Sequence, residues 1–300
     1  MSRQYTAPAA TRREAMGVLG SAALLATVGP ASASATSSPW TRHEFFNVAG
    51  GRIHCAIMGQ ASETPLVVFP KLGGWVNDWA AVAALLAPQR QVIAIDFPGH
   101  GASVMNGPAP YATSIPEIAT MALAALDQLG VTRFAVGGVS MGGVVSAYLA
   151  AKYPEKVTAL VLVSTQLRPA ASWEALRAQD SQRAATNEGE PRSHADLQKM
   201  FGTLDPKISE DQAAANERAG AWKRSSERGV ARLGIEQYLS SIKAPVLWIS
   251  ADRGTYLRYT PVIQKHVPNV RVVAVADTGS FVQQEQPAKV AAVIEDFLKR

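Results

Sequence analysis

One short turn restricts the fold of this chain more than any other segment. Gly138-Val139-Ser140-Met141-Gly142 lies between the apolar run 134–136 and the helix-like stretch 144–151. A serine with glycine two positions before it and two positions after it fits a sharp turn from a strand into a helix, because larger side chains would clash there. The sequence therefore predicts that Ser140 stands at the edge of a sheet, close to the positive end of the following helix dipole.

Strand and helix patterns alternate along the chain from residue 42 onward. Short, continuous apolar runs, typical of strands that are buried on both faces, occur at 65–69, 91–95, 134–136, 157–163, 244–249 and 270–276. Helix-like segments occur at 78–86, 115–129, 144–152 and 287–298. This alternation predicts fold class α/β, with a doubly wound, mostly parallel sheet.

Two elements have distinct local patterns. The segments 43–48 and 53–58, joined through Gly50-Gly51, predict a hairpin at the start of the sheet. Ser114 can cap a helix, and Glu117 three residues later completes a capping box. A helix is therefore predicted from residue 115 to about Leu129-Gly130.

One long segment interrupts the alternation. Residues 165–243 have no convincing strand pattern, carry charges of both signs and contain helix-like stretches. They lie between two strands at the carboxyl edge of the sheet, where ligands bind in open α/β folds. We expect a helical cap at 165–243 over an α/β core formed by 36–164 and 244–300. The alternative is a solvated structural insertion without a role in substrate binding.

The first 35 residues have the pattern of an export signal. The pair Arg12-Arg13 precedes the apolar run 16–28, and small residues follow at 31–35 in an A-x-A pattern. A twin-arginine signal predicts export of a folded bacterial chain, and thus a periplasmic or secreted protein. The apolar run is short for a membrane span, so no stable membrane span is expected after cleavage. The alternative is a chance arginine pair in a frayed terminus.

Composition excludes several classes of function. The chain of 300 residues is 47% hydrophobic and 18% charged, as in globular proteins. No basic stripe with interleaved aromatic residues is present, so nucleic acid is not an expected partner. Cys55 is the only cysteine, and no Cys/His cluster has metal-ligand spacing. With no glycine-rich phosphate loop, the sequence predicts no cofactor, and the expected partner is a small-molecule substrate.

Four segments together resemble the α/β-hydrolase fold superfamily over residues 42–300. The first is the turn 138–142, and the second is 96–103, which matches the pattern D-x-x-G-x-G-x-S. The third is the loop 72–79 after the third strand, and the fourth is 281–287 near the C-terminus. The resemblance implies that Ser140 is a nucleophile. It also implies that the backbone N–H groups of Leu72 and Met141 form an oxyanion hole.

The chain departs from the family at the expected base. Where the family has Gly-His-Phe, this sequence has Gly279-Ser280-Phe281. A serine hydroxyl cannot accept a proton at neutral pH as an imidazole can. The substitutes left open by the sequence are His100, His194 and Lys71, since a desolvated lysine can act as a base for serine.

Two further positions also depart from the family pattern. The loop after the third strand begins Pro70-Lys71 instead of His-Gly. The resemblance places the acid of the triad in the loop 250–255, where Asp252 is the only carboxylate. Asp252 is therefore the predicted acid, although an ungapped count from Pro245 places the family position closer to Gly254. The alternative for Asp252 is a loop-capping or arginine-paired aspartate.

The function implied by the resemblance is hydrolysis of a small carboxylic ester, lactone or related acyl compound. Ser280 then replaces the histidine of an otherwise working hydrolase, by engineering or in a natural relative, and the intact segment 281–287 favours this interpretation. The altered 70–71 loop and the weak acid position favour a non-catalytic ligand-binding protein instead. A cofactor-free lyase or isomerase also fits, because a fold does not determine its chemistry.

Overall fold

The computed structural model describes residues 39–62, 64–186, 195 and 205–299. In this part of the chain, nine strands form one sheet. The strands are β1 (Arg42–Val48), β2 (Gly51–Met58), β3 (Leu66–Phe69), β4 (Val92–Ile95), β5 (Val104–Met105), β6 (Phe134–Val139), β7 (Val157–Val163), β8 (Val246–Ala251) and β9 (Arg271–Val275). Their order in the sheet is β1-β2-β4-β3-β6-β7-β8-β9, and β5 pairs with β2.

Helices separate the strands. They are α1 (Ala80–Leu86), α2 (Ile115–Gln128), α3 (Met141–Lys152), α4 (Trp173–Thr186), α5 (Pro206–Ala219), α6 (Ala221–Leu233), α7 (Thr260–His266), α8 (Val282–Glu285) and α9 (Pro287–Leu298). Single 3₁₀ segments cover Val76–Trp79, Ile235–Ser241 and Leu257–Tyr259. All pairings among β3, β4 and β6 to β9 are parallel, which confirms the predicted α/β class with a mostly parallel sheet.

The apolar core lies on both faces of the sheet. Successive residues of a strand point to opposite faces, and Val67 and Val68 of β3 accordingly belong to two different core clusters. The first cluster packs the sheet against α2 and α3, and the second packs it against α1 and α9. Because both faces are covered, all four residues of β3 and all four of β4 are buried.

Both local predictions are confirmed. The strands β1 and β2 pair antiparallel with Val48 opposite Gly51, and Gly50 takes a φ of 84° at the turn between them. At the start of α2, the Glu117 N–H donates to Ser114 Oγ at 3.3 Å. The Ser114 N–H donates to Glu117 Oε2 at 2.9 Å, which completes the capping box.

A buried aspartate holds the loop that follows β4. Asp96 is 1% exposed, and its two carboxylate oxygens accept three hydrogen bonds from separate segments. The donors are His54 Nδ1 at 2.7 Å, the Val76 N–H at 2.8 Å and the Ala102 N–H at 2.9 Å. Asp96 therefore joins β2 to the two loops that follow β3 and β4.

The chain between β7 and β8 is helical in its described residues. It contains α4, α5 and α6, and no strand is assigned in the described parts of 165–243. Helix α5 contacts the loop after β3, since Gln212 Nε2 donates to the Gly73 carbonyl at 3.2 Å and the Trp75 indole N–H donates to Asp211 at 3.0 Å. The division into core and cap, and the role of the cap over a site, stay predictions.

The predicted export signal at 1–35 lies outside the described residues. Among the helices that are described, none is long and apolar enough to cross a membrane.

Candidate active site

Ser140 sits in a strained turn between β6 and α3. Its φ of 53° and ψ of −113° lie where residues other than glycine are rare. Such a conformation costs about 1–3 kcal/mol and persists only where the surrounding structure enforces it. The Ser140 N–H donates to the Val163 carbonyl of the neighbouring strand β7 at 3.1 Å. Ser140 keeps 9% of its surface exposed.

The glycines around Ser140 are required by close backbone contacts. A Cβ atom on Gly138 would overlap the backbone of Gly142, and a Cβ atom on Gly142 would overlap the carbonyl oxygens of Phe69 and Pro70. The predicted reason for small residues at both positions is therefore confirmed. The same contact brings the start of α3 against the end of β3.

Two backbone N–H groups are the predicted donors of the oxyanion hole. Met141 is the first residue of α3 and is fully buried, and Leu72 lies in the loop directly after β3. Among the described contacts, neither the Leu72 N–H nor the Met141 N–H donates a hydrogen bond. An anionic oxygen bound there would also be stabilised by the positive end of the α3 dipole. Their role as an oxyanion hole stays a prediction.

The hydroxyl group of Tyr256 contacts the candidate nucleophile. Tyr256 Oη lies 3.0 Å from Ser140 Oγ, and either oxygen can donate the hydrogen bond. Tyr256 follows β8, two residues after Gly254, and precedes the 3₁₀ turn Leu257–Tyr259. Burial raises the pKa of Tyr256, so the phenol is neutral at physiological pH. Sequence reasoning missed this residue, because a single tyrosine in a loop forms no pattern.

Ser280 is buried two residues before α8. It is 1% exposed, and its hydroxyl oxygen has no hydrogen-bond partner among the described residues. A Cβ atom on Gly254 would lie 3.1 Å from Ser280 Oγ. Within the described contacts, no hydrogen bond joins Ser280 to Ser140.

Asp252 is bound to the loop before Ser280. Its carboxylate accepts the Asp277 N–H at 2.9 Å and the Thr278 N–H at 3.1 Å. These two backbone hydrogen bonds lower the pKa of Asp252. The geometry fits the loop-capping alternative, and the assignment of Asp252 as the triad acid stays a prediction.

A second carboxylate binds the other side of the same loop. Glu285 accepts the Gly279 N–H at 2.7 Å and the Phe281 N–H at 3.1 Å. Burial raises the pKa of Glu285, and the two backbone bonds oppose that shift. Asp252 and Glu285 together bind four of the five N–H groups of residues 277–281, and the remaining N–H belongs to Ser280. We call residues 277–281 the clamped loop.

Lys71 forms a buried ion pair with Asp78. It is 3% exposed, and its Nζ donates to Asp78 Oδ1 and, at 2.9 Å, to Gln284 Oε1. The same ammonium lies 4.8 Å from the centre of the Phe281 ring. Burial raises the pKa of Asp78, although the Lys71 charge opposes the shift. Lys71 thus connects the loop after β3 with the segment after Ser280, and no hydrogen bond joins Lys71 to Ser140 among the described contacts.

Of the two histidines proposed as substitute bases, His100 lies in the described part of the chain. His100 is fully buried, and its Nδ1 lies 3.0 Å from the Pro98 carbonyl, to which it donates. Its Nε2 has no partner among the described residues, and burial lowers the pKa of His100. His194 lies outside the described residues.

The described residues contain one open groove beside the clamped loop. It has a volume of about 410 Å³ and is lined by Asp205, Lys207, Ile208, Arg253, Asp277, Gln284 and Glu285. In the part of the chain that is described, no three His, Cys, Asp or Glu side chains are grouped so that they could hold a metal ion.

The chain is similar to known proteins in both sequence and structure. A protein-family model described as alpha/beta hydrolase fold matches residues 64–287. The dihydrolipoyllysine-residue acetyltransferase component of the acetoin cleaving system from Pseudomonas putida is 36% identical over 118 residues. That match covers 39% of this chain and 31% of the relative, so the chain spans about a third of that protein.

Other relatives match along most of their length. The 3-oxoadipate enol-lactonase 2 of Acinetobacter baylyi is 26% identical over 260 residues, which covers 83% of this chain and 93% of that protein. The crystal structure of the enol-lactonase from Burkholderia xenovorans LB400 aligns with a TM-score of 0.73 at 23% identity. It covers 86% of this chain and 100% of that chain, and at this identity the likeness shows the fold alone.

Proposed function

Because the chain belongs to the α/β hydrolase fold family, we propose that it cleaves small carboxylic esters, lactones or related acyl compounds at Ser140, and that it does so slowly. The observation that carries this proposal is the strained Ser140 turn, and it is supported by the Leu72 and Met141 N–H groups, which donate no hydrogen bond among the described contacts. Strain at a non-glycine residue is typical of a functional site.

The proposed chemistry is acyl transfer. Ser140 Oγ attacks the carbonyl carbon of the substrate, and the carbonyl oxygen becomes an oxyanion that accepts hydrogen bonds from the Leu72 and Met141 N–H groups. The alcohol or enol leaves, and water then releases the acid from Ser140. The named activity of the Acinetobacter baylyi relative, an enol-lactonase, supports a lactone or ester as the substrate class.

Slow turnover follows from the residues at the base and acid positions. Ser280 stands where the family has histidine, and its neutral hydroxyl cannot take the serine proton as an imidazole does. The predicted acid Asp252 directs its carboxylate to the backbone N–H groups of Asp277 and Thr278. Backbone donors are unaffected by either change, so substrate binding and oxyanion stabilisation remain. They alone give about 10³–10⁴-fold acceleration over water in serine proteases.

A non-catalytic ligand-binding function is the second candidate. Ser280 at the predicted base position carries no imidazole, and the carboxylate of the predicted acid Asp252 is bound to the backbone of the clamped loop. The Lys71 amine is held by Asp78 and Gln284. In this alternative, the same donors bind a carbonyl or carboxylate without cleavage.

We also propose that residues 165–243 cap the site and that the twin-arginine segment directs export to the periplasm or beyond.

The test is turnover of small esters and lactones by the full chain, followed as released acid. The Ser140→Ala variant is compared with the wild type, and a fluorophosphonate probe reports whether Ser140 reacts. We expect slow, Ser140-dependent acid release and Ser140-dependent labelling. We also expect Ser280→His to raise the turnover number, since a positioned base contributes about 10²–10⁴-fold. Absence of Ser140-dependent product and labelling in both forms would leave the ligand-binding function.

A further inference from the structure

Tyr256 occupies the hydrogen-bonding position beside Ser140 that a base would need. Its Oη lies 3.0 Å from Ser140 Oγ, within the distance at which a proton can pass between two oxygens. Among the described residues, Tyr256 is the only side chain that hydrogen bonds the serine hydroxyl.

The surroundings of Tyr256 favour a neutral phenol. Burial raises its pKa, and the neighbouring Tyr259 raises it further. The charges of Arg168 and Arg258 oppose this shift, as does the hydrogen bond with Ser140. A neutral phenol cannot act as a permanent base, but it both accepts and donates a hydrogen bond through one oxygen.

The other candidate groups that lie in the described part of the chain are engaged elsewhere. The Lys71 ammonium is paired with Asp78, and the Asp252 carboxylate is bound to the clamped loop. His100 Nδ1 donates to the Pro98 carbonyl, and no hydrogen bond between His100 and Ser140 occurs among the described contacts.

We propose that Tyr256 is a catalytic residue that relays the serine proton to the leaving group, an inference that rests on the proposed hydrolysis at Ser140. As Ser140 Oγ bonds to the acyl carbon, its proton moves to Tyr256 Oη, and the phenolic proton moves to the departing oxygen. The bond from the acyl carbon to that oxygen breaks, and the alcohol leaves neutral. Tyr256 ends the step as a neutral phenol.

The second half of the reaction reverses the direction of the relay. A water oxygen bonds to the acyl carbon and gives a proton to Tyr256 Oη, while the phenolic proton moves to Ser140 Oγ. The bond between the acyl carbon and Ser140 breaks, and the carboxylic acid is released. No permanent base is required, because each proton that Tyr256 accepts is matched by one that it donates.

The variant Tyr256→Phe tests the relay, because it removes the hydroxyl and keeps the ring. Tyr259→Phe is the matched control, since it makes the same chemical change at an adjacent tyrosine whose hydroxyl accepts from Arg168 Nε at 2.7 Å. Steady-state kcat and KM for a small ester are measured with the wild type, both variants and Ser140→Ala. Thermal unfolding of each protein shows whether the fold is kept.

We expect Tyr256→Phe to lower kcat about 10²-fold, within the range for a positioned proton donor, with KM and Tm unchanged. Tyr259→Phe should leave kcat unchanged. If Tyr256→Phe turns over as fast as the wild type or faster, while Ser140→Ala is inactive, the relay is wrong and hydrolysis at Ser140 stands. If the wild type gives no Ser140-dependent product, both the relay and the proposed function are wrong.

Discussion

A Cβ atom on Gly254 would lie 3.1 Å from the hydroxyl oxygen of Ser280. The loop after β8 and the clamped loop therefore still meet, although neither presents a titratable side chain at the point of contact. Asp252, two residues earlier, is exposed and directs its carboxylate to the backbone of Asp277 and Thr278. This pair of positions determines which substitutions are needed to build a base with a supporting acid.

Restoring both positions should exceed the effect of restoring one. In the Ser280→His background, Gly254→Asp adds a carboxylate that can orient the imidazole and stabilise its charged form, and we expect a further gain on the order of 10²-fold in kcat/KM. Gly254 has a φ of 114°, which side chains disfavour, so Gly254→Asp alone should lower Tm. Steady-state kinetics and thermal unfolding measure the two effects.

The control for this pair is Gly107→Asp in the same Ser280→His background. A Cβ atom on Gly107 would have no neighbour within 4 Å, so the added carboxylate meets only solvent. An equal gain from Gly107→Asp would show that general charge, and not the contact with residue 280, causes the increase.

Gly142→Ala should destabilise the fold by about 1–3 kcal/mol, because its Cβ would overlap the carbonyl oxygens of Phe69 and Pro70. The overlap would separate the start of α3 from the end of β3, so fluorophosphonate labelling of Ser140 should also fall. Urea unfolding monitors the stability, and Gly107→Ala is the control that should have no effect. An unchanged urea midpoint for Gly142→Ala would contradict the close contact.

Removing the Lys71 ammonium should cost about 3–5 kcal/mol, since Asp78 is then buried without a compensating charge. The double variant Lys71→Met/Asp78→Asn should recover much of this loss, because the amide oxygen can still accept the residue-71 N–H that Asp78 now accepts at 3.0 Å. Denaturant unfolding of the two variants and the wild type provides the comparison.

The loss of unfolding free energy in Lys71→Met should depend on pH. The folded pKa of Asp78 is raised, so the protonated form favours folding, and that contribution is lost as pH rises from the unfolded pKa through the folded pKa. Loss of the Lys71 charge raises the folded pKa further. The deficit of Lys71→Met should therefore be largest at neutral pH and shrink toward about pH 4. A deficit that is constant with pH would contradict a charged Asp78.

The stability deficit of Asp252→Asn should likewise shrink on acidification, although the folded pKa of Asp252 is shifted in the opposite direction to that of Asp78. The folded pKa of Asp252 is lowered by the Asp277 and Thr278 N–H groups, so its stabilisation is present above the unfolded pKa. It is lost as pH falls below about 4 and through the folded pKa. The wild type should therefore unfold at a higher temperature than Asp252→Asn at pH 6, and the difference should decrease on acidification.

Glu155→Gln is the matched control for Asp252→Asn. Glu155 is exposed, and the described contacts give its side chain no hydrogen bond or ion pair. A Glu155→Gln protein should have the same Tm as the wild type at both pH values. If the Tm difference between Glu155→Gln and the wild type changed with pH in the same way, the effect would come from net charge.

Local sequence patterns were sufficient to predict the elements whose interacting residues lie close together in the chain. The Ser114 and Glu117 capping box, the hairpin through Gly50 and the turn around Ser140 each depend on residues within a few positions. Alternation of such elements determined the fold class, because parallel strands joined by helices have few arrangements.

The parts that sequence reasoning missed depend on contacts between distant residues. Tyr256 meets Ser140 across 116 positions, and Lys71 meets Gln284 across 213. Neither contact belongs to a periodic pattern, and each depends on which strand lies beside which in the folded sheet. Asp252 was singled out for its carboxylate, yet its backbone partners at 277 and 278 become neighbours only when β8 and β9 pair.

The hydrogen bonds that hold the backbone of the clamped loop do not involve the side chain at position 280. Asp252 and Glu285 bind the N–H groups of the four residues around Ser280, so the backbone at 280 is held without any contribution from the side chain there. We therefore expect a substitution at position 280 to change the chemistry of the site while the backbone of the clamped loop keeps its conformation.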